Sequence, residues 1–269
     1  MTTTTERTLV NYTVTDGVAV IELTNPPANT YSHDMMRQLD EAILQARFDD
    51  NVHVLVIRGA GEKFFCAGAD INMLNTVTPG FKYYFCLHAN ETLLRLEQTP
   101  KLVIAAMNGH TVGGGLEIAL ACDIRIARRN AGKVGLPEVG LGVLPGTGGT
   151  QRMARALPKN KAIELMTEGK LFSFEDAQEL DLVNYIYEAE GYWDKVMEYA
   201  HQFCPPNKAS KTVGRIKRSV QSGAEVALSE GLALERELQQ LCFQSEDAKE
   251  GLAANAEKRK GNFAGRYNI

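Results

Sequence analysis

Hydrophobic and polar positions follow two different periods in the first part of the chain. Residues 9–23 are rich in β-branched residues and are interrupted by Asp16-Gly17, a tight-turn dipeptide, which predicts a β-hairpin. The proline pair that follows breaks strand pairing and predicts a loop. From Ser32 apolar residues recur every three to four positions. This period predicts a helix whose buried face holds Met35, Met36, Leu39, Ala42, Ile43 and Ala46.

Short continuous apolar runs come next and predict buried strands at residues 52–59, 101–109 and 123–127. The segment 60–70 is expected to be a loop. A helix is predicted over about 82–98, because Pro100 follows it, and another should begin near Gly114. Strands and helices therefore alternate up to about residue 135, which is typical of an α/β fold.

The second half of the chain has a helical pattern from about residue 148 to its end. Ser173 with Asp176 has the spacing of a capping box, which marks the start of one helix. No fixed-period repeat is apparent. We expect an α/β core over residues 1–204 and a helical C-terminal region over residues 205–269.

Composition and charge narrow the class of protein. Hydrophobic residues make up 44% and charged residues 23%, as in an ordinary globular protein. The net charge of -4 disfavours a nucleic-acid partner, although a local basic stripe keeps RNA binding as a minor alternative; the stripe consists of Lys208, Lys211, Arg215, Lys217 and Arg218. No apolar run reaches the ~18 residues of a membrane span, so no membrane partner is expected.

Cysteine and histidine spacing disfavours metal and disulfide sites. The five cysteines are far apart without a CxxC pair, and the five histidines are scattered. We therefore expect no metal and a reducing compartment. The first nine residues lack an apolar core and are not expected to be a targeting peptide. Together these features predict a cytoplasmic location.

Three glycine-rich segments, at residues 66–70, 110–117 and 137–152, follow a strand or precede a helix. Glycine at such places lets backbone N–H groups approach a ligand, but it is equally common in turns and helix caps. The chain has no P-loop and no GxSxG motif, and one loose GxGxxxG match is weak support for a Rossmann oxidoreductase.

Two carboxylates stand in apolar surroundings, where unpaired charges are rare. Glu117 lies in the first turn after three glycines, and Glu138 lies between Pro137 and Val139. Glu117 could simply stabilise a helix N-terminus, and Glu138 could cap a nearby amide. If both face one pocket, they can form an acid–base pair.

The segments FFCAGADI, NGHTVGGGLEIALACDIRIA and LPEVGLGVLPGTGGTQR together resemble the enoyl-CoA hydratase (crotonase) superfamily. The order and spacing of the segments match as well, and the resemblance covers essentially the whole chain. It implies an α/β fold built as a spiral of ββα units, with a helical C-terminal region that forms trimers.

The resemblance also implies roles for individual residues. The backbone N–H groups of Ala69 and Gly114 would form the oxyanion hole for a thioester oxygen. Glu117 would be the base and Glu138 the acid, and the amide of Gly146 would help to place the water. Further substrate-binding positions implied by the family are Ala67, Gly68, Asp70, Ile71 and Gly113.

The resemblance also implies contacts with coenzyme A. Lys258, in a tail expected to be helix-like, matches a family position that contacts CoA phosphate, but it could equally be a solvated helix end. Phe243 is a weaker candidate for contact with the adenine end. The family's frequent Lys after GADI is Asn72 here, so the resemblance does not carry that CoA contact over to this chain. The aromatic residues Phe81, Tyr83, Tyr84 and Phe85 could narrow the acyl pocket or pack on the core.

These expectations define an enoyl-CoA hydratase that adds water reversibly to a 2-enoyl-CoA and gives a 3-hydroxyacyl-CoA in fatty acid metabolism. CoA is part of the substrate, so no cofactor is expected, and the partners are the acyl-CoA and further copies in a homotrimer or homohexamer. Alternatives are an enoyl-CoA isomerase, another acyl-CoA enzyme of the superfamily, and a non-catalytic acyl-CoA- or RNA-binding homologue.

Overall fold

The computed structural model describes residues 7–266. Residues 1–6, on which the expectation about targeting partly rests, lie outside the described residues, as do 267–269. The strands are β1 (Val10–Thr15), β2 (Val18–Leu23), β3 (Val54–Gly59), β4 (Phe64–Cys66), β5 (Leu102–Met107), β6 (His110–Val112), β7 (Ile124–Arg128), β8 (Val134–Gly135) and β9 (Tyr185–Tyr187). The helices are α1 (His33–Phe48), α2 (Ile71–Leu74), α3 (Pro79–Glu97), α4 (Gly114–Leu120), α5 (Gly149–Ala156), α6 (Lys159–Glu168), α7 (Phe174–Glu179), α8 (Tyr192–His201), α9 (Ser210–Gly223), α10 (Leu228–Phe243) and α11 (Glu246–Ala256).

The chain winds between two sheets. The larger sheet has the order β1-β2-β3-β5-β7-β9, and the smaller has the order β4-β6-β8. Strands β3, β5 and β7 of the larger sheet are each followed by one strand of the smaller sheet, and helices return the chain after β4 and β6. The predicted spiral of ββα units is confirmed.

The central strands β3 and β5 of the larger sheet are buried on both faces, which explains their continuous apolar runs. In β3, Leu55 and Ile57 join the main core beneath α1, while Val54 and Val56 pack on the other face with residues of α8. The hairpin is confirmed, with positive φ at Asp16 and Gly17. Helix α1 begins after its cap Ser32, and the six residues predicted to form its buried face are all buried.

The smaller sheet places the glycine-rich segments together. Its three strands are parallel, so their carboxyl ends meet at one edge. Residues 67–70 leave β4 there, residues 113–115 leave β6, and Pro137 and Glu138 follow β8. Ligands of α/β folds commonly bind at such an edge, beyond the carboxyl ends of parallel strands.

Some predicted elements were wrong. The predicted loop 60–70 contains β4, and the C-terminal half is not all helical, because β9 pairs with β7 in the larger sheet. Helix α3 begins before residue 82, since Thr78 caps it and Pro79 occupies its first turn. Lys258 lies just beyond the end of α11 with a positive φ, so the helix-like tail was also wrong there.

The C-terminal helices α9, α10 and α11 lie within residues 205–269, where helices were predicted. Helix α10 has no buried residue in this chain. The supposed basic stripe is not a continuous surface. Lys217 is buried against Asp123, and Lys211 is buried beside Asp50. No helix within residues 7–266 is long and apolar enough to cross a membrane.

Candidate active site

A cleft of about 440 Å³ lies at the carboxyl edge of the smaller sheet. Its walls are mainly apolar, with a few polar groups that converge on them, as is typical of a small-molecule site. The charged residues among its lining are Glu117, Glu138 and Lys82. Within residues 7–266, no group of three or more His, Cys, Asp or Glu side chains is placed to hold a metal ion.

The backbone segments of Ala69 and Gly114 both line this cleft and pack closely together. The residue before Ala69 packs against the residues before Gly114: a Cβ on Gly68 would lie 3.1 Å from the nitrogen of Gly114. Within residues 7–266, neither the N–H of Ala69 nor that of Gly114 donates to a protein acceptor. Both amides are therefore available to a ligand oxygen.

Glycine is required where these two segments meet. Gly68 has a φ of +89° and Gly113 a φ of +57°, a region that other L-residues rarely adopt. A Cβ on Gly113 would also approach Oε1 of Glu138 to 3.0 Å. These glycines are part of the site and not merely of a turn.

Glu117 is buried in α4, with 2% of its surface exposed. Its Oε1 accepts hydrogen bonds from the backbone N–H groups of Thr147 and Gly149, each at 2.7 Å. Burial raises the pKa of this carboxyl, and the hydrogen bonds from Gly149 and Thr147 partly offset that rise. Because the N–H groups that donate to Glu117 belong to a distant loop, this carboxylate does more than stabilise its own helix.

Glu138 begins a short 3-10 helix, Glu138–Leu141, on the other side of the cleft. Its Oε2 is buried and has no hydrogen-bond partner within residues 7–266. Burial raises the pKa of Glu138 to about 7, and the neighbouring charge of Glu117 adds to the rise, while a hydrogen bond from its own backbone and the charge of Lys82 oppose it. A carboxyl with this pKa can both hold and release a proton near neutral pH.

The cleft contains most of the predicted site residues. They are Ala67, Gly68, Ala69, Ile71, Gly113, Gly114, Glu117, Glu138 and Gly146. Asp70 does not line the cleft; its side chain caps α2 by accepting from the N–H groups of Asn72 and Met73. Lys258 and Phe243 are not among the lining residues either.

The aromatic residues of α3 do not form the pocket. Phe85 is buried, with its ring centroid 5.9 Å from that of Tyr31, whereas Tyr83 and Tyr84 are about two-thirds exposed. Phe81 stacks on Phe85. The cleft is lined instead by Val77, Thr78, Pro79 and Lys82 at the start of the helix.

Two residues that line the cleft, Tyr31 and Thr147, were not predicted from the sequence. Tyr31 is buried beneath Gly114, and its hydroxyl lies 2.9 Å from Oγ1 of Thr147. The two are 116 positions apart, so no local pattern could join them. The sequence signal for this loop was Gly149, two residues after Thr147. A Cβ on Gly149 would lie 2.9 Å from Oε1 of Glu117.

Comparison with known proteins gives a consistent result. Residues 13–266 match the family model described as enoyl-CoA hydratase/isomerase. A short-chain-enoyl-CoA hydratase of Clostridium acetobutylicum is 37% identical over 244 residues, covering 90% of this chain and 92% of the relative. A crotonyl-CoA hydratase of Syntrophomonas wolfei is 34% identical over 247 residues, covering 91% and 94%.

A solved structure has the same architecture. The crystal structure of an enoyl-CoA hydratase from Geobacillus kaustophilus superposes with a TM-score of 0.94 at 42% sequence identity. The match covers 97% of this chain and 98% of the other.

Proposed function

The chain belongs to the enoyl-CoA hydratase/isomerase family, and we propose that it adds water reversibly across the 2,3 double bond of a 2-enoyl-CoA. The predicted crotonase superfamily and an enzyme with hydratase activity are both confirmed by these relatives. The observation that carries the residue assignment is the pair of carboxylates, Glu117 and Glu138, lining one cleft beside two free amides.

The amides of Ala69 and Gly114 bind the thioester oxygen in this proposal. Addition at Cβ moves negative charge onto that oxygen, so donors already aimed at it stabilise the transition state. Because neither N–H has a protein acceptor within residues 7–266, no bond must break before the substrate binds. The apolar walls keep bulk water away and strengthen both interactions.

The carboxylates divide the proton transfers. Glu117, whose Oε1 is held by two amides, is assigned as the base and in its ionised form takes a proton from the water whose oxygen attacks Cβ. Glu138, protonated because of its raised pKa, gives a proton to Cα. The product is a 3-hydroxyacyl-CoA, and transfer of one proton from Glu117 to Glu138 restores the starting state. The amide of Gly146 is assigned to placing the water.

The direct test is the loss of conjugated-thioester absorbance with a panel of 2-enoyl-CoAs, beginning with crotonyl-CoA. Hydration to the 3-hydroxyacyl-CoA, checked by mass, supports the proposal. Formation of a 3-enoyl-CoA without water addition would instead identify the isomerase alternative, in which one carboxylate moves a proton between carbons.

The oxyanion assignment has its own test at Ala69. Ala69→Pro removes the N–H and should lower kcat by roughly 10²–10³-fold. Ala69→Ser keeps the amide and should stay within roughly tenfold of the unmodified protein. Melting curves and binding of an inert acyl-CoA must accompany the kinetics, since proline also restricts Gly68. A folded, binding Ala69→Pro variant with normal turnover would remove Ala69 from the oxyanion hole.

For CoA we propose that Lys258 binds a phosphate and that Phe243 contacts the adenine end, both from a neighbouring copy. The support is that neither lines the cleft of its own chain and that Phe243 is exposed. Lys258→Ala should raise KM for an acyl-CoA but not for a pantetheine thioester, which lacks the nucleotide. An equal effect on both substrates would contradict phosphate binding.

We propose a homotrimer or homohexamer, because α10 exposes apolar side chains along its whole length: Leu228, Leu232, Leu241 and Phe243. Light scattering coupled to size exclusion distinguishes these assemblies from a monomer. With the hydratase assignment we also propose a role in fatty acid metabolism. We propose as well that the reaction needs no cofactor. The five free cysteines support a reducing, cytoplasmic setting.

A further inference from the structure

Tyr31 contacts three separate parts of the candidate active site. Its backbone forms a parallel bridge with Ala69: the N–H of Tyr31 donates to the oxygen of Gly68 at 2.9 Å, and the N–H of Asp70 donates to the oxygen of Tyr31 at 2.9 Å. This pairing uses the polar groups on either side of the Ala69 amide and leaves that amide facing away from Tyr31.

The side chain of Tyr31 reaches the other two parts. Its hydroxyl lies so close to α4 that a Cβ on Gly114 would come within 2.2 Å of it. The same hydroxyl is 2.9 Å from Oγ1 of Thr147, in the loop that holds Glu117. Tyr31 is 2% exposed and its ring packs on that of Phe85, so both the ring and the hydroxyl are held in place.

Thr147 passes this contact to the carboxylate. Its N–H donates to Oε1 of Glu117 at 2.7 Å, so the placement of Thr147 sets this hydrogen bond, and its side chain also lowers the pKa of Glu117. In the contact between the hydroxyls of Tyr31 and Thr147, either oxygen can be the donor. Burial raises the pKa of Tyr31 well above its usual range, so the phenol keeps its proton.

We propose that Tyr31 is a positioning residue that, through its hydrogen bond to Thr147, keeps the N–H of Thr147 on Oε1 of the base Glu117. The proposal rests on the hydratase function, in which Glu117 must accept a proton. Other groups that act on Glu117 or Tyr31 are Glu138, Arg152 and the thiols of Cys66 and Cys86. None of these is changed by the substitutions below.

The first experiment is Tyr31→Phe, assayed for hydration of crotonyl-CoA across pH. Loss of one buried hydrogen bond corresponds to a fall in kcat of roughly three- to tenfold, with KM within about twofold. Glu117 loses support for its charged form, so its pKa rises. The acidic limb of the kcat profile should therefore move to higher pH by roughly 0.3–1 unit.

The second experiment tests the route through Thr147. Thr147→Val removes the hydroxyl and keeps the amide, and should show the same shift of the acidic limb. Adding Tyr31→Phe to Thr147→Val should then change kcat by less than about twofold, because the bond is already absent. Thr147→Ser, which restores the hydroxyl, should recover most of the loss.

Tyr192 provides the matched control. It is also a buried tyrosine, 5% exposed, and its hydroxyl donates to the oxygen of Ile126 at 2.8 Å, away from the cleft. Tyr192→Phe should lower Tm about as much as Tyr31→Phe and leave the acidic limb in place. A limb that moves equally in both variants would show only general destabilisation.

An activity-free measurement separates this proposal from the hydratase function. In protein labelled with ¹³C at glutamate carboxyls, Glu117 is assigned by its loss in Glu117→Gln and titrated in each variant. A higher pKa of Glu117 in Tyr31→Phe and in Thr147→Val supports positioning, even if crotonyl-CoA is not a substrate. An unchanged pKa overturns the proposal, as does full additivity of the two substitutions. If Tyr31→Phe does not fold, the Thr147→Val and Thr147→Ser pair gives the decision.

Discussion

The two sides of the cleft contain the same residue type in different surroundings. On the α4 side, Glu117 is 2% exposed and its Oε1 accepts two backbone amides. On the 3-10 helix side, Oε2 of Glu138 is buried without a partner within residues 7–266, and the pKa rises to about 7. Burial raises the pKa of both carboxyls. Two amides from a distant loop partly offset the rise at Glu117, whereas at Glu138 the opposing groups are its own backbone N–H and Lys82. The comparison teaches that identical side chains can be given different hydrogen-bond donors in one cleft, which is what the proposed base and acid require.

The largest effect is expected when either glutamate is replaced by glutamine, which cannot exchange a proton. Glu117→Gln and Glu138→Gln should each fold, bind acyl-CoA and lose roughly 10²–10⁴-fold in kcat, because a positioned acid or base contributes that much. Steady-state kinetics with crotonyl-CoA and a melting curve measure this. If either variant works within a few-fold of the unmodified protein, that residue is not part of the pair.

The next effect concerns the loop that holds Glu117. A Cβ in Gly149→Ala would lie 2.9 Å from Oε1 of Glu117, which is fixed by two amides and cannot turn aside easily. Weakening a hydrogen bond to a charged group should lower kcat by roughly 10–100-fold. Gly140→Ala is the control, because its Cβ would meet nothing within 4 Å. Normal turnover in Gly149→Ala would show that the tight hold on Glu117 is dispensable.

A smaller effect is expected in stability. Between about pH 4.5 and pH 7 the unfolded chain releases the Glu138 proton before the folded protein does, so the folded state is progressively destabilised. Glu138→Gln removes this loss. Its Tm, relative to that of the unmodified protein, should be about 2–4 °C higher at pH 8 than at pH 5, a figure that allows for the partial exposure of the side chain. Glu117→Gln should gain less, since its amide donors favour the charged form. Equal gains from the two variants would contradict the contrast.

The smallest effect comes from Lys82, which lines the cleft and lowers the pKa of Glu138. In Lys82→Met that pKa rises, so the acid stays protonated to higher pH. The basic limb of the kcat/KM profile should move upward by a fraction of a pH unit, whereas Lys82→Arg should leave it in place. A downward movement would mean that Lys82 acts on another group.

Sequence reasoning located both glutamates, the start of α4 and the buried face of α1, because each depends on neighbours in the chain. It missed the smaller sheet, since β8 has two residues and β4 and β6 have three, too few for any period to be visible. It also missed Tyr31, whose partners Gly68, Gly114 and Thr147 are brought to it only by the winding of the chain. Lys258 and Phe243 remain predictions, because their assigned contacts lie outside one chain.

The spiral has a consequence for how activity appears during folding. Each strand of the smaller sheet brings its own segment to the cleft: Ala69 after β4, Gly114 after β6 and Glu138 after β8. Contacts between residues so far apart in sequence form late, because closing long loops costs entropy before the contacts compensate for it. A chain arrested before β8 has joined its sheet would have the segments of Ala69 and Gly114 in place, while Glu138 would not yet line the cleft. Recovery of catalysis after dilution from denaturant should therefore lag behind recovery of the helical circular-dichroism signal. The turnover of a refolding sample would then report the moment at which β8 joins the smaller sheet.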